Sequence, residues 1–246
     1  MKKNQKEQIK ELDQDINKKA VKTFFLICSI VIFTIVILSV MNYFNFIPKK
    51  YYKASDFNIK TIYSDMDFDN DNIDDYTDFV LGARKDAENN PTYISKYYED
   101  AYPPDDEGVC TDVIWRAFKN AGYSLKDMVN NDIINNQEEY GIETIDSNID
   151  FRRVNNLIIY FNHNAEKLTL DYKEIEEWQP GDIVVFSDNH IGIISDRRNN
   201  KGIPYVIHNN GQLNREEDYL TKNHITQHYR FNATQIAQDK LIKWHD

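Results

Sequence analysis

From Thr23 to Pro48 the chain carries no charged residue, and most positions are Phe, Leu, Ile or Val. About 20 apolar residues at about 1.5 Å rise each span a hydrocarbon core. The run Thr23–Ile47 therefore reads as one transmembrane helix, closed by Pro48 and followed by Lys49, Lys50 and Lys53. A helix packed on the core of a soluble domain with one side to water keeps a polar face, and this stretch has none. A cleaved signal peptide is the competing reading. Its apolar run is about 7–15 residues and ends in small residues, whereas this one is longer and ends in Met41-Asn42-Tyr43-Phe44.

Beyond the span the period changes twice. Ile73, Tyr76, Phe79, Val80 and Ala83 recur at helical spacing and predict a helix over about 74–87. Tyr102 to Gly108 reads as a loop. Val109 to Ala121 predicts a helix capped by Gly122, followed by helices over 124–135 and 148–162. Then come short β-branched or aromatic runs separated by turns: 182–186, 191–194, 204–207 and 228–231. A terminal helix is expected over 235–244. Helices first and an antiparallel sheet afterwards define an α+β domain.

Charge divides the chain along the same line. Lys2, Lys3, Lys6, Lys10, Lys18, Lys19 and Lys22 precede the span, against three lysines just after it. The heavier basic flank stays in the cytoplasm, which predicts a cytoplasmic tail (1–22), the span (23–47), a linker (48–66) and an extracytoplasmic domain (67–246). Residues 51–246 hold 20 basic against 36 acidic residues. No nucleic-acid partner is expected, because a phosphate backbone is held by a basic footprint. Of the two cysteines, Cys28 lies within the span, so Cys110 is the domain's one unpaired thiol.

Cys110 stands at the predicted start of a helix, where unpaired N–H groups and the helix dipole favour thiolate. His190 opens a predicted strand and His208 closes the next one. Strands paired antiparallel through a turn at Asp196–Gly202 bring the two imidazoles to one face. Nucleophile, base and orienting group then form a set, with Asn209 and Asn210 as alternatives for the third position. Asp182 is expected to shape the start of its strand.

Four motifs in order are Cys110-Thr111-Asp112 on a helix, Gln179-Pro180-Gly181-Asp182-Ile183-Val184, His190-Ile191-Gly192-Ile193 and Ile207-His208-Asn209. Together they resemble the NlpC-type cell-wall peptidases, which have a papain-like fold. Asn148 to Val154 and Ser195-Asp196-Arg197-Arg198 resemble more closely a bacterial family of uncharacterised domains assigned to that fold. The resemblance covers roughly residues 75–231. It implies a cysteine amidase or endopeptidase acting on peptidoglycan stem peptides, with Cys110 as nucleophile, His190 as base and acid, and His208 orienting His190. The better-known peptidases carry Cys-Ser-Gly where this chain has Cys110-Thr111-Asp112. That departure assigns Asp112, Arg152, Arg153 and Asn209 to a different substrate pocket.

A second pattern lies ahead of the first helix. Asp67, Asp69, Asp71, Asp75 and Asp78 occupy positions 1, 3, 5, 9 and 12 of a calcium loop, with the Ile73 carbonyl at position 7. Asn72 replaces the usual glycine, and Asp78 the usual glutamate. Calcium is expected here as a structural ion; a solvated acidic helix start is the simpler alternative. Three functions follow: an anchored cysteine hydrolase, a non-catalytic calcium-dependent wall-binding module, and an acyl transferase using the same triad.

Overall fold

A computed structural model describes residues 2–43 and 50–245, with the side chains of the N-terminal helix from residue 16 onward. The chain divides into a helical N-terminal unit and a second unit that begins at Lys50.

Helix α1 (Lys2–Tyr43) is continuous, and its segment Ile16–Tyr43 is long and apolar enough to cross a membrane. A signal sequence near an N-terminus shares those properties. Phe24, Leu26 and Phe33 expose more than half of their surface. Two hydroxyls in the apolar stretch bond back along the helix, Thr34 Oγ1 to the Ile30 carbonyl (2.9 Å) and Ser39 Oγ to that of Ile35 (2.8 Å). Both are thereby satisfied without water, as an apolar environment requires. The last four positions of the expected span, Phe44 to Ile47, lie outside the described residues.

In the second unit the helices precede the sheet. They are α2 (Asp75–Asn89), α3 (Cys110–Asn120), α4 (Leu125–Asn135), the single turn α5 (Gln137–Tyr140) and α6 (Val154–Asn164). Two residues at β1 (Thr92–Tyr93) and two at β2 (Glu107–Gly108) pair in parallel. The main sheet holds β3 (Glu166–Lys167), β4 (Ile183–Phe186), β5 (His190–Arg198), β6 (Pro204–Ile207), β7 (Glu216–Glu217) and β8 (Ile225–Arg230). Its order is β3-β8-β4-β5-β6-β7, antiparallel throughout. The domain is α+β, as the change of period indicates.

Helix α2 starts where the Asp74 carboxylate accepts from the Thr77 N–H (3.4 Å) and hydroxyl (2.5 Å). It buries Tyr76, Phe79, Val80 and Ala83, the stripe that its periodicity marks. Gly82 faces α3 so closely that a Cβ there would meet the Asn120 Cβ at 2.6 Å and the Ala117 Cα at 2.9 Å. The two helices can approach only because that side chain is missing. Phe79 stacks on Phe118 at 4.6 Å between centroids, and Phe231 meets Phe118 edge-on at 4.9 Å. Strand β4 is buried on both faces. Ile183 and Val185 join this helical core, and Val184 and Phe186 join a smaller one around Trp178, Ile194 and Val206.

Three expectations need correction. The segment 148–162 is not one helix: a 3₁₀ turn (Asp150–Arg152) ends at Arg153, whose backbone is extended, and α6 begins after it. The segment 235–244 is no helix either. It holds the 3₁₀ turn Gln238–Lys240, and its end pairs with backbone at the end of α3, Ile242 O accepting from Ser124 N (2.8 Å) and Trp244 N donating to Gly122 O (2.7 Å). Finally, residues 50–66 are not a free linker. Tyr52 and Arg198 exchange two backbone hydrogen bonds of 2.8 Å, and Ile62 N donates to the buried Gln179 Oε1 at 3.0 Å.

Candidate functional site

Cys110 is the first residue of α3, as the sequence indicates, and its side chain is buried. The loop before it is held by a buried ion pair. Asp112 accepts from the Val109 N–H (2.7 Å), from Trp115 Nε1 (2.8 Å), and from Arg152 Nε (2.7 Å) and Nη2 (2.9 Å). Arg152 reaches on to the Lys96 carbonyl (2.7 Å), while its own carbonyl accepts from Thr111 Oγ1 (3.0 Å). Asp112 and Arg152 thus engage each other, the backbone and the Trp115 indole from within the core. Together they fix the turn that carries the thiol.

Of the other two residues assigned to a substrate pocket, Arg153 faces solvent and pairs with Asp150 at 3.3 Å. Asn209 is buried, with Nδ2 donating to the Gly108 carbonyl (3.2 Å) and Oδ1 accepting from Gly211 N (3.1 Å) and from Arg215. It ties the end of β6 to the loop before Cys110.

The two imidazoles meet. His190 Nε2 lies 2.9 Å from His208 Nδ1, with the rings nearly perpendicular. His208, not Asn209, therefore occupies the place beside His190. Gly192 makes the approach feasible: a Cβ there would lie 2.9 Å from the Ile207 carbonyl and 3.1 Å from the His208 Cβ. His208 Nε2 stands 3.6 Å from Glu217 Oε1. One proton arrangement suits both contacts, with His190 donating from Nε2 and His208 from its own Nε2. Nδ1 of His190 is then an acceptor.

Helix α3 packs against β5, and the Ile191 N–H, next along from His190, favours the Cys110 thiolate, as do the N–H groups of Thr111 and Cys110 itself. Burial outweighs them and, with the Asp112 charge adding, pushes the thiol up to about 11. The sequence expectation of a ready thiolate at a helix start is thus reversed, because the helix terminus is here out of water. Burial, then the proximity of His208, lowers His190 to about 3; burial lowers His208 also. At neutral pH the set is a neutral thiol beside two neutral imidazoles. Among the described residues no hydrogen bond joins Cys110 to His190, a contact that often tightens only around substrate.

A pH effect on stability follows. Between about pH 3 and 6.5 the unfolded chain binds a proton at position 190 that the folded chain rejects, so stability is full above 6.5 and falls with acid. The shift corresponds to roughly 5 kcal/mol. In urea titrations at pH 7 and pH 4, His190→Asn is expected to lose less stability between the two than the parent does. Equal losses would remove the assignment.

Sequence reasoning missed two aromatic neighbours. The Tyr219 ring lies tilted against His208, centroids 4.1 Å apart, and 5.5 Å from His190. Burial raises the phenols of Tyr219 and the half-exposed Tyr93, and Cys110 adds to the rise at each. Neither lies in a motif; only the path of the chain brings them there. Asp182, by contrast, keeps its expected structural role. It accepts from Arg230 Nε and Nη2 (both 2.8 Å) and from Gln179 N (2.8 Å), and lies 3.1 Å from His228 Nε2.

At the second pattern, ligand-capable oxygens of Asp67, Asp69 and Asp71 lie within 4.8 Å of one another. Asp75 does not join them. Its two oxygens accept from Phe68 N (3.0 Å) and the Tyr123 hydroxyl (2.5 Å), which makes it a support for the loop.

The fold and site define a class: an α+β domain with a buried cysteine at a helix start and a histidine pair on the neighbouring strands. The chain belongs to the family of the domain of unknown function DUF1287, whose model matches residues 80–231, more than half of its length. It is 38% identical over 149 residues to the uncharacterised protein YijF of Escherichia coli (strain K12), across 57% of this chain and 72% of that one. No solved structure matches.

Proposed function

We propose that this protein is a membrane-anchored cysteine amidase or endopeptidase of NlpC-like, papain-type architecture, facing the cell exterior and cleaving amide bonds in peptidoglycan stem peptides. The observation that carries the reading is the 2.9 Å contact of His190 with His208 on the strand whose Ile191 N–H favours the Cys110 thiolate. The lysine-rich flank before the span supports the orientation.

In this reading Sγ of Cys110 bonds to the substrate carbonyl carbon as its proton passes to Nδ1 of His190. The carbonyl oxygen takes the negative charge, held by N–H groups at the start of α3. His208 accepts from Nε2 of the imidazolium and Glu217 supports His208. Collapse breaks the C–N bond, and the leaving amine takes the proton from His190. Water, deprotonated by His190, then attacks the thioester and releases the acid and the free thiol.

The test is to incubate the full chain in detergent with wall peptides and analyse the products by mass spectrometry. New amine and carboxyl ends, absent with Cys110→Ala, are expected. Transfer of the acyl group to an added amine would assign the acyl-transferase alternative. Absence of any product, with Cys110 inert to alkylation, would leave the wall-binding module.

A further inference from the structure

The chemistry above makes no use of the acidic loop ahead of α2. We propose that Asp67, Asp69, Asp71 and Asp78, with the Ile73 carbonyl, form a binding site for one calcium ion. The cluster of three carboxylates alone does not argue this, since exposed acidic groups occur without an ion. Asp78 does. It is 1% exposed, its Oδ1 accepts from Asn120 Nδ2 (3.0 Å), and its Oδ2 is buried with no hydrogen-bond partner. Asn120, which holds it, stands two residues before Gly122, where an added Cβ would meet the Asp69 Cβ at 2.7 Å, so this carboxylate lies at the end of α3 on which the acidic loop packs. A buried carboxylate oxygen with no donor is costly, and surrounding carboxylates make it more so. A cation held at the loop would offset that charge and offer the orphaned oxygen a partner.

The loop is shaped to receive it. Asn70 and Asn72 take positive φ (66° and 75°), while Asp67 accepts from Asp71 N (3.1 Å) and Asn72 N (3.0 Å). These bonds turn the backbone and leave the carboxylates grouped. All donors are oxygens, which selects hard cations over zinc or copper. Five protein donors suit calcium's six to eight ligands better than magnesium, which keeps several waters. Phe68 stacks on Tyr123 at 4.1 Å, and Asn120 holds Asp78. The ion would thus fasten the loop to the end of α3 and raise the stability of the whole domain.

The experiment uses the full chain in detergent, stripped with chelator, and follows calorimetric binding and Tm as calcium chloride or magnesium chloride is added. One saturable calcium site is expected, with Kd in the range of about 10⁻⁴–10⁻³ M seen for extracellular modules. Tm should rise with calcium and much less with magnesium. Asp69→Asn, at an exposed position, should weaken calcium binding at least about tenfold while leaving the metal-free Tm within a few degrees. Asp78→Asn should do the same and, by removing a buried charge, raise the metal-free Tm. No saturable binding, equal effects of the two salts, or calcium binding untouched by Asp69→Asn would each overturn the proposal.

Discussion

Arg152→Met should cost the domain roughly 3–5 kcal/mol, the range for breaking a buried ion pair from one side. Asp112 keeps the Val109 N–H and the Trp115 indole but loses both guanidinium bonds at a site fully out of solvent. For a domain of this size Tm should fall by roughly 6–20 °C. The double variant Asp112→Asn/Arg152→Met removes both charges and keeps an amide oxygen for one of the two remaining buried donors, so it should recover part of the loss. Thermal unfolding of the three proteins checks this. A single variant within about 2 °C of the parent would mean that the pair does not hold the turn carrying Cys110.

His190→Ala should slow amide cleavage by about 10²–10⁴-fold, the usual contribution of a positioned general base, with little change in KM. The shape of the pH profile is the more discriminating readout. His190 must be neutral to accept the thiol proton, and burial keeps it so down to about 3. The thiol does not ionise unaided until about 11. In kcat/KM of the parent, a flat plateau from about pH 5 to 9 is therefore expected. A preformed thiolate–imidazolium pair would instead give a bell in that interval, and finding one would sink the neutral-pair account. Alkylation of Cys110 in the free chain, read on its own peptide so that Cys28 does not interfere, should likewise climb only at strongly alkaline pH.

What could be read in the sequence was local. The stripe of Tyr76, Phe79, Val80 and Ala83 marks α2, and the β-branched runs mark β4, β5 and β6, because burial imposes those periods. Cys110, His190 and His208 were legible because each lies at the end of such an element. The buried pairing of Asp112 with Arg152 was not legible, because charge in a sequence suggests solvent or substrate and nothing local shows that 40 residues away a partner waits in the core. The segment 235–244 failed for a related reason. Ile236, Leu241 and Ile242 pack on the helical core from an extended path fixed by backbone pairing with Gly122 and Ser124. That is tertiary context overriding propensity.

Gly192 carries a consequence for how the family can diverge. A methyl group at that position would press on the Ile207 carbonyl and the His208 Cβ, prising apart strands whose separation sets the reach between two rings. Selection acting on the imidazole pair must therefore act on a residue that takes no part in chemistry. Among relatives that keep both histidines, this position is expected to remain glycine. In lineages where it has drifted to alanine or serine, the second histidine should have been lost as well.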